Sequence, residues 1–278
     1  METLIPYGIR ILPGLAALTL LLAALPKKAE GLRIVVYIGI FIVIRDAMTP
    51  AGLWNFGTEG LFWLRFTGSL PLLFSIAAGS GIVAGIMLIF EPEWRKRIEW
   101  LIISKKTGQK RSASKIHTES DTQFPQGKSK AVIGAGKSLG AGLCGAVITA
   151  APLFMIYTTV PIDDRGGAVV PILLIGIAAV SLIGNFYEEL LFRGFLQDYL
   201  HKQLKVKPVH AAVISGMAFA AGHSFLAVTV TAVGAPLLLF ALYEGVIAGL
   251  IRMKWGLIPA VLSHGGAIFL LSGAAILI

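Results

Sequence analysis

Charge is scarce in this sequence. Asp, Glu, Lys and Arg make up only 14% of its 278 residues, against 56% hydrophobic, and the mean hydropathy is +0.80. A soluble domain cannot cover so much apolar side chain with polar surface, so a water-soluble globular fold is excluded. Cysteine is nearly absent as well. The single Cys144 forbids an intramolecular disulfide framework, and its Gly-rich apolar setting reads as packing. The period-two alternation of an outer-membrane barrel is missing. Apolar runs instead reach or approach the ~20 residues that a helical span needs.

What is present fits an all-α fold, a polytopic membrane helix bundle with about eight transmembrane helices. The spans fall at about 9–25, 33–49, 69–90, 132–159, 168–192, 209–225, 235–251 and 257–277. The first is read as a span rather than a cleaved signal peptide, because Ala23-Ala-Leu-Pro-Lys-Lys28 offers no clear small-x-small site and a second span follows at once. Three regions result: an N-terminal three-span accessory region (1–90), a basic loop with an interfacial helix (91–130), and a five-span bundle (131–278).

The formal net charge of +9 is explained by topology rather than by a nucleic-acid partner. Lys27, Lys28, Arg33, the 91–130 loop, the 193–207 connector, Arg252 and Lys254 share one side of an eight-span bundle. Arg10, Arg45, Arg65 and Arg165 fall on the other. The positive-inside rule then predicts a multi-pass protein of the cell membrane with a cytoplasmic long loop and both termini outside. The basic clusters Arg95-Lys-Arg97 and Lys110-Arg111 suit anionic lipid headgroups, so membrane lipid is an expected partner and no nucleic acid is.

The loop begins Glu91-Pro-Glu-Trp-Arg-Lys-Arg-Ile-Glu-Trp-Leu-Ile-Ile103, a pattern expected to form an interfacial amphipathic helix with Trp94 and Trp100 at headgroup depth. Residues 105–130 read as a flexible linker. Gly134-Ala-Gly-Lys-Ser138 imitates the end of a phosphate-binding loop, but position 131 is alanine and no strand precedes it. Close helix packing through Gly136 and Gly140, with Lys137 snorkelling to the interface, is the expectation there.

The informative stretch is Phe186-Tyr-Glu-Glu-Leu-Leu-Phe-Arg-Gly-Phe195, at the end of the hydrocarbon-like run 168–186. An acid within a span is expensive and marks a functional site by default. Glu189 and Arg193 are four apart on a helix, with Glu on the N-terminal side, as an ion pair prefers. Glu188 lies about 100° around the axis and needs another partner or water. With the connector as the tip of an antiparallel hairpin, Glu188 and His223 are each about 26 Å from it. An acid and an imidazole converging on water form the arrangement a general base requires. In the last hairpin Glu244 and His264 are likewise level, about 15 Å from the turn near Lys254. Bringing His264 to His223 then requires the 193–207 connector to project about 11 Å beyond that turn.

Glu188-Glu189-x-x-x-Arg193, Phe219-x-x-x-His223 and His264, in that order on successive apolar helices, resemble the CPBP family of CAAX prenyl endopeptidases and bacteriocin-processing (Abi) proteins. The resemblance covers about 168–278. It implies intramembrane hydrolysis of a peptide bond, in a cavity open toward the cytoplasm, with a membrane-associated or prenylated (CAAX-like) protein or a small peptide as substrate. It also implies that Glu188 and His223 activate water while His264 holds the oxyanion. Glu189 and Arg193 match further motif positions and read as a structural pair. The family's third motif usually continues His-x-x-x-Asn or Asp, whereas here it reads His264-Gly-Gly-Ala-Ile268. Glu244 and Asn185 are the nearest groups to compensate.

Family members are often labelled metalloproteases, and Glu188, His223 and His264 would be the ligands of a zinc site. No His-Glu-x-x-His is present, and the metal-free mechanism, with no cofactor required, is preferred. Two other classes stay open. Ile268 supports a catalytically silent peptide-binding or scaffolding relative, and three acids support an ion-coupled transporter, although three spans against five give no pseudo-symmetric halves. Tyr187, Tyr243 and Phe186, Phe192, Phe195 and Phe219 read as core or cavity wall; His117, His201 and His210 as solvated; Asp163, Asp164 and Arg165 as an external turn. Arg45 and Asp46 form a charged exit from the second span with no role assigned. Oligomeric state is not legible.

Overall fold

The computed structural model describes residues 4–48, 54–56, 64–66, 68–102, 134–157, 159–165, 167–227 and 233–273. Helices α1 (Leu4–Ala24) and α2 (Glu30–Met48) are followed by a small hairpin, β1 (Trp54–Phe56) and β2 (Leu64–Phe66), then α3 (Leu70–Phe90) and the short α4 (Pro92–Arg97). The C-terminal block holds α5 (Ala135–Tyr157), a composite helix, α9 (Pro208–Gly222), α10 (Ala235–Trp255) and α11 (Leu257–Gly273). The composite helix runs through α6 (Leu173–Ala179), α7 (Asn185–Glu189) and α8 (Gln197–Lys202), joined by the wide π turns Val180–Gly184 and Leu190–Leu196. Among the described residues it is an all-α membrane protein apart from the hairpin. Among the described residues four helices are long and apolar enough to cross a bilayer: Leu70–Phe90, Ala135–Tyr157, Leu173–Lys202 and Ala235–Trp255. Ile11–Ala24, Pro208–Gly222 and Leu257–Gly273 are shorter apolar helices.

Small residues set how closely the site-bearing helices approach. A Cβ on Gly216 would lie 2.9 Å from the Val246 amide nitrogen, and one on Gly245 would lie 3.1 Å from Gly216 Cα, so α9 and α10 meet backbone to backbone. A Cβ on Gly265 would lie 2.6 Å from Ser181 O, which presses α11 onto the first π turn. The second π turn leaves the Phe192 carbonyl available, and it accepts from Ser215 Oγ at 2.7 Å. Gly256, at φ +101°, ends α10 and has the Glu99 carbonyl 2.8 Å from where a Cβ would stand. Any side chain there is both strained and blocked.

Residues after α4 run extended and satisfy the start of α11, with Leu257 N donating to Glu99 O and Ile258 N to Trp100 O, both at 2.9 Å. This overturns the expected interfacial helix over 91–103. Its helix ends at Arg97, and Trp94 is only 3% exposed, edge-on to Phe195 at 4.5 Å. Glu91 anchors this corner from inside, accepting from Arg33 Nε at 3.1 Å and Tyr37 Oη at 3.0 Å. A row of buried partners outweighed the amphipathic pattern.

Four other expectations are corrected. Gly136 and Gly140 face open space, and α5 packs instead through Gly142, whose Cβ would stand 2.7 Å from Pro259 O. The contact face carries Gly142 and Gly145, three residues apart, rather than the four-residue pair. Arg165 is buried rather than external, donating Nε to Val160 O at 2.9 Å and lying 4.9 Å over the Tyr157 ring. Cys144 is exposed, not packed. Tyr243 is exposed too, its hydroxyl donating to Ile148 O. The linker 105–130, with Lys110, Arg111 and His117, lies outside the described residues, as does the side chain of Asp46.

Candidate active site

The polar residues singled out in the C-terminal block meet at one place. A cavity of about 90 Å³ is walled by Asn185 and Glu188 from α7, Phe219 from α9, His223 just beyond it, Glu244 from α10, and His264 and Ile268 from α11. That is well above the roughly 10–15 Å³ one water requires. Arg45 of α2 and Leu64 of β2 also line it.

Glu188 is 1% exposed. Its Oε2 faces His223 Nε2 at 3.5 Å, and its Oε1 is paired with the guanidinium of Arg45. His223 Nδ1 lies 2.8 Å from Phe219 O. A carbonyl only accepts, so Nδ1 carries the proton and a neutral ring turns its Nε2 lone pair toward Glu188. At that distance the two acceptors are in van der Waals contact, so a donor that serves them sits beside the pair, on the cavity side.

A second chain of contacts fixes the other imidazole. Glu189 Oε1 accepts from Arg193 Nη1 at 2.7 Å and lies 2.8 Å from His264 Nδ1. Arg193 is fully buried and also donates Nη2 to Gly245 O at 2.9 Å. The His264 Nε2 stands 3.5 Å from Glu244 Oε1, too far for a strong hydrogen bond. Phe219 ties the two halves together: its ring is 4.4 Å from that of His223, 5.3 Å from that of His264, and 4.5 Å beneath the Arg193 guanidinium. The guanidinium contact is a cation–π arrangement.

His223 and His264 converge on the Phe219 ring, as the hairpin arithmetic requires. Arg252 Nη2, near the end of α10, bonds Asp198 Oδ1 at 3.2 Å and not the tip of the 203–207 connector. The end of α10 is thus tied to α8 at Asp198, short of the connector. Glu188 is ten residues from Asp198, about 15 Å along the helix, which is half of a roughly 30 Å hydrocarbon core.

Residues 169–270 match the family described as type II CAAX prenyl endopeptidase Rce1-like. The matched stretch lies wholly within the C-terminal block. No curated protein and no solved structure matches the chain. The Rce1-like stretch contains Glu188, Glu189, Arg193, His223, Glu244 and His264, so the cavity is built mainly from it.

Arg45 and Leu64 lie outside the Rce1-like segment, and motif reading missed both as site residues. The available signal for Arg45 was its position: a cation near the end of an apolar span is itself costly. The departure at Ile268 is real in space, since its side chain lines the cavity beside Asn185 and Glu244. Asn185 Nδ2 and Glu244 Oε1 are both buried and have no hydrogen-bond partner among the described residues.

The donor set does not suit a metal held by Glu188, His223 and His264. Among the described residues no group of three or more His, Cys, Asp or Glu side chains is placed to hold one. The Arg45 guanidinium occupies Glu188 Oε1, where a dication would meet a buried positive charge.

Proposed function

We propose that the protein is an intramembrane endopeptidase of the CAAX type, hydrolysing a peptide bond with a water held between Glu188 and His223. The observation that carries this reading is the 3.5 Å approach of Glu188 Oε2 and His223 Nε2 on the wall of a cavity, with His223 Nδ1 already committed to Phe219 O. A water on the cavity side of the pair donates one hydrogen to Glu188, directs the other toward His223 Nε2, and turns a lone pair to the substrate carbonyl. Glu188 takes the proton as the carbonyl carbon is attacked, and later returns it to the leaving amine. The His264 Nε2 faces the same cavity; a proton shared between it and Glu244 provides a donor for the oxyanion. Glu189 and Arg193 hold His264 in place from behind. No step is routed through a metal.

The substrate in this reading is a membrane-associated or prenylated protein, or a small peptide. The basic ends around Lys27, Arg97, Lys202 and Lys254 are cytoplasmic, with both termini outside. Eight spans, a three-span accessory region and a five-span catalytic block complete it.

Ile268 favours a second reading, a silent relative that binds peptides without cleaving them. Purified protein and a quenched peptide, supplied with and without a prenyl group, separate the two. The peptidase reading predicts turnover that survives chelator and disappears in Glu188→Ala and His223→Ala. Binding without turnover in the unaltered protein establishes the silent relative instead.

A further inference from the structure

A second cavity of about 250 Å³ lies between α2, α3 and α7, walled by Ile44, Arg45, Gly79, Ser80, Val83 and Tyr187 among others. Tyr187 is 2% exposed, and its hydroxyl has no hydrogen-bond partner among the described residues. A buried phenol normally finds a partner, so an unpartnered one on a cavity wall marks where a hydrogen-bonding ligand belongs. Among the described residues Arg45 is the one common to this wall and that of the catalytic cavity. Tyr187 and Glu188 are consecutive on α7, about 100° apart around its axis, so one helix gives its phenol to the second cavity and its carboxylate to the first.

We infer that this second cavity is a water chamber, which supplies the hydrolytic water to Glu188 past the Arg45 guanidinium, apart from the side that the peptide occupies. The supply role rests on the peptidase reading; the hydration of the chamber does not. Three polar side chains line one space, the Tyr187 phenol, the Ser80 hydroxyl and the Arg45 guanidinium, and a buried water needs about two to four polar partners. The volume of about 250 Å³ is far above the roughly 10–15 Å³ that one water requires. A lipid chain would fit the walls of Ile44 and Val83 but offers the buried phenol nothing to bond, whereas water satisfies it.

Hydrolysis inside a bilayer needs such a source. Each cleavage consumes one water, whose oxygen and one hydrogen end on the new carboxyl group and whose other hydrogen ends on the leaving amine. A peptide seated in the catalytic cavity of about 90 Å³ displaces water from that side. Arg45 is held in place by its pairing with Glu188, and a guanidinium has five N–H donors, enough to serve several partners at once. It bridges chamber and base, so a water handed along it reaches Glu188 with its hydrogen bonds replaced one by one.

The test uses the full chain in detergent and X-ray radiolysis of water, which oxidises side chains beside ordered water even where they are buried and is read residue by residue by mass spectrometry. Tyr157 is the internal reference: it is also 2% exposed, but its hydroxyl is bonded to Leu64 N and O. Tyr187 is expected to label at least tenfold faster than Tyr157. Gly79→Leu, where nothing lies within 4 Å of the new Cβ, plugs the chamber. It should abolish that difference and lower kcat for the quenched peptide about tenfold with KM unchanged. Val83→Phe is a second plug should the first fail to fold. Equal labelling of the two tyrosines, as a lipid-filled cavity gives, overturns the inference. So does a difference that survives a folded plug, or a plug that abolishes it with kcat intact. Fast labelling of Tyr187 that the plug abolishes, without turnover in the unaltered chain, keeps the hydrated chamber and removes the peptidase assignment.

Discussion

His264 and Glu189, on different helices, are joined by a 2.8 Å contact from Nδ1 to Oε1, on the oxygen that also accepts from Arg193. One carboxylate oxygen therefore orients an imidazole and neutralises a fully buried guanidinium. The adjacent Glu188 is turned to the cavity, so two neighbouring acids have separate tasks set by the roughly 100° between them on the helix.

Glu189→Ala is expected to cost about 3–5 kcal/mol of stability, because it leaves Arg193 as an uncompensated buried charge. Thermal unfolding in detergent reads this directly. The companion change Arg193→Lys should cost less than Arg193→Ala, since a lysine keeps the charge near Glu189 but loses the second arm to Gly245 O. Equal unfolding temperatures for Glu189→Ala and the unaltered chain would remove the structural role.

Phe219→Leu should impair turnover far more than stability. Its ring touches both imidazoles and the Arg193 guanidinium, whereas leucine preserves most of the buried volume and costs only about 1–2 kcal/mol. The measurement is kcat alongside the unfolding temperature. A loss of turnover no larger than the loss of folded protein would contradict the positioning role.

At the third-motif departure, Ile268→Asn is expected to raise kcat/KM by about tenfold, a fraction of the roughly 10²–10³ that a well-placed oxyanion donor supplies. Asn185→Ala should lower it, by about tenfold, if Asn185 now provides that donor. A rise in the first with no change in the second would assign the compensation to Glu244 instead.

The orientation of the bundle is tested with the single native cysteine removed. On a Cys144→Ala background, Lys28→Cys should react with a membrane-impermeant maleimide only from the cytoplasmic face, and Asp163→Cys only from outside. The opposite pattern reverses the proposed topology and places the termini in the cytoplasm.

Much of the site was legible because helix geometry is regular. Fixed rise per residue put Glu188 level with His223 and Glu244 level with His264, and the structure brings each pair to 3.5 Å. The same regularity explains the Glu189–Arg193 pair. Features that depend on how a helix is rotated, or on contacts between distant spans, were not legible. Gly136 and Gly140 have the same spacing as a packing motif, yet rotation turns them to open space. Trp94 has the pattern of an interfacial anchor, but it is drawn inside by Phe195 and Tyr37. Arg45 meets Glu188 only through tertiary packing, and no local pattern announces the pairing. The hairpin of Trp54–Phe56 and Leu64–Phe66 was missed because three-residue strands carry almost no periodic signal.

The most direct measurement is a double-mutant cycle on single-turnover rates with Glu188→Gln, His223→Gln and the pair together. If both side chains hold the same water, each change alone lowers the rate by about 10²–10⁴, and the double variant is scarcely slower than either. Rates that fall additively, or a single variant that retains full activity, would contradict a shared water and with it the mechanism.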